Sequence, residues 1–234
     1  MAASEMAGLL LLSFTALLLR SSSVRSQGLQ IGFYDSYCPD VEDTWSVPLG
    51  RRDGRLSSAS GASALPSPAD PVSVQRKKFA DQELSDHDLV TLVGAHTIGQ
   101  TDCQFFSYRL YNFTATGNAD QTISQASLAQ LRALCPPPSG APAGRRVALD
   151  EGSPDAFDVS FFKNVRDGGA VLESDQRLWS DAATQGVVQK YAGNVRGFGL
   201  RFGYEFPKAM VRMSSIGVKT GGQGEIRRRC SRIN

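Results

Sequence analysis

Hydrophobic residues recur at helical spacing along most of the chain from Gln75 onward. QGVVQKYAGNV and EFPKAMVRMSSIG show this pattern near the end, although Pro207 in the second fits a helix only in its first turn. In TISQASLAQLRALC the apolar positions are Ile123, Leu128, Leu131 and Leu134. The pattern predicts an all-α fold.

Two segments between the predicted helices lack this period. Leu56–Pro71 and Cys135–Arg146 are rich in proline, glycine and serine and poor in large apolar residues. Both are predicted to be irregular loops. An apolar block also runs from Ala7 to Leu19 and is followed by RSSSVRSQG, which predicts a signal peptide over residues 1–26 and a soluble secreted product without a membrane span.

One of the two histidines lies in the predicted helix LSDHDLVTLVGAHTIGQ. Ser85 is a candidate N-cap, and one inward-facing stripe contains Leu89, Leu92, Val93 and His96. On pattern alone, a core histidine satisfied by the backbone is favoured over a metal ligand. Glycine destabilises a helix, so Gly94 and Gly99 indicate positions where a flat or bulky group comes too close for a side chain.

Composition limits the classes of function. The 234 residues are 41% hydrophobic with a net charge of +2, which is typical of one sizeable domain. The basic clusters are short and have acidic residues nearby, so no nucleic-acid footprint is indicated. Four widely spaced cysteines in a secreted chain favour disulfides over zinc, with three pairings open, and Asn112-Phe113-Thr114 is an N-glycosylation acceptor.

Several blocks, in this order, resemble the secretory plant haem peroxidases of class III. They are GFYDSYCPD, WSVPLGRRDGR, LSDHDLVTLVGAHTIGQTDC, SPDAFD, SDQRLW and, near the end, YAGNVRGF followed by AMVRMSSIGVKTG. The resemblance covers nearly all of residues 27–234 and implies an all-α peroxidase-like domain that binds haem b. His96 matches the axial iron ligand, and Asp175 matches the carboxylate that accepts a hydrogen bond from its other nitrogen. Without the resemblance, Asp175 would be interpreted as a helix N-terminal or surface carboxylate.

The resemblance also implies one structural Ca²⁺ on the side of this histidine. Its ligands would be oxygen atoms of Thr97, Asp150, Ser153, Ala156 and Asp158. A helix N-terminus at Ser153-Pro154-Asp155 explains part of the same pattern. Cys103 and Cys135 match a disulfide of the family, and Pro66 matches a residue at the channel through which aromatic donors enter.

A segment of the family pattern is missing where CPDVED runs directly into TWSVPLG at the 43/44 junction. It would carry the distal helix with its arginine and histidine, the distal calcium site, and the partners of Cys38 and Cys230. His87, the second histidine, is predicted to be exposed at the start of its helix, so nothing in the sequence replaces the distal pair.

The implied activity is the oxidation of phenolic donors by hydrogen peroxide, which removes peroxide in the response to oxidative stress. The protein would be a monomer in the cell wall or another extracellular location, or in the vacuole. Loss of the distal acid/base group and cation predicts slow turnover. The alternatives are a non-catalytic secreted glycoprotein that binds haem or only calcium, and the product of mis-splicing.

Overall fold

A computed structural model describes residue 29 and residues 46–115, 117–137, 144–193 and 198–234. The predicted signal peptide, Cys38 and the 43/44 junction lie outside the described residues. The chain divides into two compact units, one of residues 57–216 and one of residues 1–56 and 217–234. In the described part of the chain, no helix is long and apolar enough to cross a membrane.

The unit of residues 57–216 is helical, as predicted. Its described α-helices are α1 (Val72–Ala80), α2 (Asp86–Val93), α3 (Ser107–Tyr111), α4 (Gln125–Leu134), α5 (Ser160–Asp167), α6 (Glu173–Ser180), α7 (Ala182–Ala192) and α8 (Phe198–Ser214). Two three-residue strands, β1 (Gln100–Asp102) and β2 (Arg146–Ala148), pair antiparallel with Thr101 opposite Val147. The strands are too short to change the fold class.

Two local predictions differ from the structure. The segment Leu56–Pro71 contains a 3₁₀ helix, Ala59–Ala64, with Ser58 as its N-cap. Pro207 lies well inside α8 rather than in its first turn. Proline removes the amide that would bond to the carbonyl of Gly203, but Gly203 is exposed, so water can bind that carbonyl instead.

The helix that leads to His96 begins where the sequence predicts. The Ser85 hydroxyl accepts from the Asp88 amide at 3.1 Å, and an Asp88 carboxylate oxygen accepts from the Ser85 amide at 3.0 Å. This reciprocal capping fixes the start of α2. The α-helix ends at Val93, however, and a 3₁₀ turn, Gly94–Thr97, carries His96.

The two glycines flanking His96 serve different purposes. A Cβ on Gly94 would come within 2.6 Å of the rings of Phe162 and Phe202, so flat groups do approach there. Gly99 has φ +109 and nothing within 4 Å of a built Cβ. Glycine is needed at position 99 because of this positive φ, and not because another group comes close.

Two hydrophobic clusters stabilise the part of this unit that the structure describes. One surrounds the disulfide between Cys103 and Cys135 and includes Phe106, Leu110, Ile123, Leu131, Val147, Leu149, Val171 and Leu172. The other is aromatic and comprises Phe157, Phe161, Phe162, Tyr191, Phe202 and Phe206. The second cluster lies directly behind His96, whose ring contacts Phe161 edge-on with centroids 6.0 Å apart.

The unit of residues 1–56 and 217–234 has little regular structure in its described part. Asp53 pairs with Glu225 in an isolated antiparallel bridge, and a 3₁₀ turn spans Gly221–Gln223. Cys230 is a free, exposed cysteine.

Candidate active site

His96 and Asp175, which are 79 residues apart in sequence, meet in the fold. His96 Nδ1 lies 3.0 Å from Asp175 Oδ2. The 3₁₀ turn after α2 supplies the histidine, and the first turn of α6 supplies the carboxylate. The histidine side chain is 35% exposed, whereas that of Asp175 is 2% exposed.

Asp175 is held in place by its helix. The N-terminal end of α6 carries a partial positive charge, which stabilises an anion in the first turn. The Ser174 hydroxyl adds a contact of 3.4 Å to Asp175 Oδ1. Asp175 therefore lies in the first turn of a helix and also contacts the histidine. The two interpretations of this carboxylate are compatible.

The charge of Asp175 acts on the imidazole. It raises the pKa of His96 above its ordinary value, burial works in the opposite direction, and the hydrogen bond to Asp175 adds to the rise. Because Asp175 occupies Nδ1, Nε2 is the nitrogen left for a metal, and it makes no hydrogen bond to the described residues. An imidazole whose Nδ1 is hydrogen-bonded to a carboxylate fits an iron ligand, with Nε2 giving up its proton when the metal binds.

The five residues matched to calcium lie together in the fold. The Thr97 hydroxyl donates to Asp150 Oδ2 at 3.1 Å and lies 3.2 Å from the Ala156 carbonyl oxygen. The Ser153 hydroxyl donates to Asp158 Oδ2 at 2.8 Å, and the Asp158 amide lies 3.5 Å from Thr97 Oγ1. Thr97 and Asp150 are fully buried.

The chemistry of this oxygen cluster fits a hard cation. Two carboxylates, two hydroxyls and a carbonyl are the donor types that Ca²⁺ prefers. Next to the cluster, burial and then the charge of Asp150 raise the pKa of Glu151, and its Oε1 is buried without a hydrogen-bond partner among the described residues. Among the described residues, no three or more His, Cys, Asp or Glu side chains are grouped so that they could hold a metal ion. The oxygen cluster does not form such a group, because only two of its members, Asp150 and Asp158, are carboxylates.

The other matched residues lie apart from these two groups. Pro66 is exposed in the loop that follows the 3₁₀ helix Ala59–Ala64. Asn112 is exposed directly after α3, where a glycan would have room. Cys103 and Cys135 form a disulfide that closes a separation of 32 residues.

His87 is half-buried rather than exposed, with 41% of its side chain accessible. Its Nε2 lies 2.9 Å from Glu205 Oε2 and 3.3 Å from the hydroxyl of Tyr191. This group could not be predicted from the sequence, because its members come from three different helices, α2, α7 and α8. Histidine at the start of a capped helix carries no local signal for such partners.

A buried ion pair was also missed. The Arg109 side chain is fully buried, and its Nε donates to Asp120 Oδ2 at 3.0 Å. Its Nη1 donates to the carbonyls of Ala170 and Val171 at 2.8 and 2.6 Å. These carbonyls lie just before α6, so Arg109 fixes the segment that leads to Asp175.

The known proteins that this chain resembles are peroxidases. A family model described as Peroxidase matches residues 36–194. The chain is 64% identical over 198 residues to Peroxidase 25 of Arabidopsis thaliana, an alignment that covers 83% of this chain and 60% of the relative. It is 54% identical over 192 residues to Peroxidase N1 of Nicotiana tabacum, covering 82% of this chain and 57% of the relative. The chain therefore spans less than two thirds of the length of these relatives.

Proposed function

Since the chain belongs to the plant peroxidase family, we propose that it binds haem b with His96 Nε2 as the axial ligand to iron. The contact of 3.0 Å between His96 Nδ1 and Asp175 Oδ2 carries the proposal. Asp175 holds the ring in one orientation and in the tautomer that leaves Nε2 free to bind iron. It also makes the imidazole a stronger donor, because its negative charge is buried beside the ring.

When bound, the haem would supply the redox chemistry by which hydrogen peroxide oxidises phenolic donors. His96 and Asp175 would act from one face of the haem only. Cleavage of peroxide also needs an acid/base group and a cation on the opposite face. The chain has two histidines, and the second, His87, lies nine residues before His96 with its Nε2 paired to Glu205.

We therefore expect slow turnover. With hemin, hydrogen peroxide and a phenolic donor, the rate should fall at least about 100-fold below that of Peroxidase 25 in the same assay, since a positioned acid/base group contributes 10²- to 10⁴-fold. Haem binding with background turnover would favour a non-catalytic haem-binding protein. Turnover at the rate of the relative would overturn the expectation.

Calcium binding is the second part of the proposal. The oxygen cluster of Thr97, Asp150, Ser153, Ala156 and Asp158 supports it, because these hydroxyl, carboxylate and carbonyl oxygens already converge. Thr97 follows His96 directly. A cation held there would stabilise the 3₁₀ turn that carries the iron ligand.

Calcium is expected to stabilise the protein against unfolding. At a concentration 100 times the dissociation constant, the gain in unfolding free energy would be about 2.7 kcal/mol. Thermal unfolding with Ca²⁺ and with a chelator measures it. Asp158→Asn should remove most of the gain, whereas Asp167→Asn, at an exposed carboxylate paired with Arg166, should keep it. Equal gains in the two variants would refute the site.

The remaining assignments follow from family membership and are proposals for this chain. They are secretion to the cell wall or another extracellular location, or to the vacuole, a signal peptide over residues 1–26, a glycan on Asn112, donor access beside Pro66, a monomeric state and a role in the response to oxidative stress. Transcript reads across the 43/44 junction test whether the chain is made as written. Reads that are continuous elsewhere and never span this junction would favour mis-splicing.

A further inference from the structure

A continuous set of aromatic contacts leads from His96 into the aromatic cluster. The ring of His96 meets Phe161 with centroids 6.0 Å apart, Phe161 meets Phe162 at 5.3 Å, and Phe162 meets Tyr191 at 4.8 Å. Phe161 and Phe162 are fully buried and Tyr191 is 1% exposed. Electron transfer through packed atoms is much faster than across gaps, so this set of rings couples the proposed iron ligand to Tyr191.

Tyr191 is the first ring in this series that can be oxidised under mild conditions, because phenylalanine has no acidic proton to release. Its hydroxyl donates to Glu205 Oε2 at 2.5 Å. Thr91 Oγ1 lies 2.9 Å from the same hydroxyl, and His87 Nε2 lies 3.3 Å from it. Arg201 Nε binds the other carboxylate oxygen of Glu205 at 2.6 Å.

These contacts place a proton acceptor beside a phenol that keeps its proton. Burial, and then the hydrogen bond to Glu205, raise the pKa of Tyr191 well above its ordinary value, so the phenol stays neutral. Burial acts to raise the pKa of Glu205, but Tyr191, Arg201 and the charge of His87 outweigh it, so the pKa is lowered and the carboxylate is charged. Transfer along a preformed hydrogen bond needs no rearrangement.

We propose that Tyr191 is a redox-active tyrosine that stores an oxidising equivalent generated at His96. A one-electron oxidant bound at His96 takes one electron from Tyr191 and is itself reduced by one electron. The phenolic O–H bond breaks, and its proton moves to Glu205 Oε2. The products are a neutral tyrosyl radical and a neutral Glu205 carboxylic acid, beside His87, whose side chain is 41% exposed.

The inference rests on the proposed function in so far as His96 is the position of the oxidant. It does not require turnover with peroxide. The chain also contains a matched control: Tyr108 donates to Glu173 Oε2 at 2.5 Å and is half-buried, but the described ring contact of Tyr108 is with Phe113, outside the series that starts at His96.

The test uses a photo-oxidant at His96. In the full-length His87→Gln chain, His96 is the only histidine left, and a ruthenium polypyridyl complex can be attached there. The change leaves Glu205 bonded to both Tyr191 and Arg201, so the proton acceptor stays in place. Flash-quench oxidation should give a tyrosyl signal in the electron paramagnetic resonance spectrum. Tyr191→Phe in this background should remove most of the signal, and Tyr108→Phe should leave it unchanged.

Glu205→Gln provides a second measurement that keeps the Tyr191 ring. Because a neutral amide is a poor proton acceptor, radical formation should be much slower in this variant, with circular dichroism verifying the fold. A signal that persists in Tyr191→Phe, is lost equally in Tyr108→Phe, or is missing from the labelled parent would overturn the inference. Haem binding is measured separately, so a chain that forms the Tyr191 radical without binding haem refutes only the proposed function.

Discussion

His96→Ala is expected to abolish specific haem binding. The variant loses Nε2, the nitrogen proposed to bind iron, and leaves Asp175 buried without the imidazole. Loss of a residue that only supports a metal ligand costs about 10- to 100-fold in metal affinity, so loss of the ligand itself should cost more. Titration of the chain with hemin, followed by the Soret band, measures the affinity.

Two variants make this result specific. His87→Ala removes the other histidine, which contacts Glu205 and Tyr191 and not Asp175, and should bind haem as the parent does. Asp175→Asn keeps the ligand but removes the buried charge, so affinity should fall by about 10- to 100-fold. Equal binding by the His96→Ala and His87→Ala variants would show that haem adsorbs elsewhere on the chain.

Asp120→Ala is expected to destabilise the fold more than loss of any surface ion pair. It leaves the guanidinium of Arg109 fully buried without its anion, which costs about 3–5 kcal/mol of unfolding free energy in comparable cases. Asp81→Ala is the matched control, because Asp81 pairs with Lys77 at 2.7 Å on the surface, with its side chain 55% exposed. That change should cost within about 1 kcal/mol. Chemical denaturation at neutral pH measures both.

The stability attributed to Asp120 depends on pH in a defined direction. Burial acts to raise the pKa of Asp120, but hydrogen bonds from Thr122 and the charge of Arg109 outweigh it and lower the pKa below its ordinary value of 3.8. The stabilisation is therefore fully present above that value and is lost as the pH falls through the lowered pKa. The difference between parent and Asp120→Ala should shrink on acidification, and a constant difference would contradict this assignment.

Sequence reasoning worked best where the controlling interactions are local. The start of α2 was predicted from Ser85, and in the structure Ser85 and Asp88, which are three residues apart, cap each other. The end of the same helix could not be predicted in this way. Gly94 lies against Phe162 and Phe202, which come from α5 and α8, and the chain changes there to the 3₁₀ turn that holds His96.

The residues of the candidate site were likewise predicted only in part. The family pattern named His96, Asp175 and the five oxygen donors by position, but helical periodicity alone favoured a core histidine. Neither pattern predicts that Arg109 is buried and binds the carbonyls before α6, or that aromatic rings connect His96 to Tyr191. Both features depend on residues that are distant in sequence.

Local sequence pattern predicts the helical class and the capped start of α2, because both depend on neighbours within one or two turns. The shared family pattern names the residues that are proposed to bind iron and calcium. Which of these residues meet depends on how the helices pack. The contact of 3.0 Å between His96 and Asp175 joins positions 79 residues apart, and it exists because the packed helices bring the end of α2 to the first turn of α6.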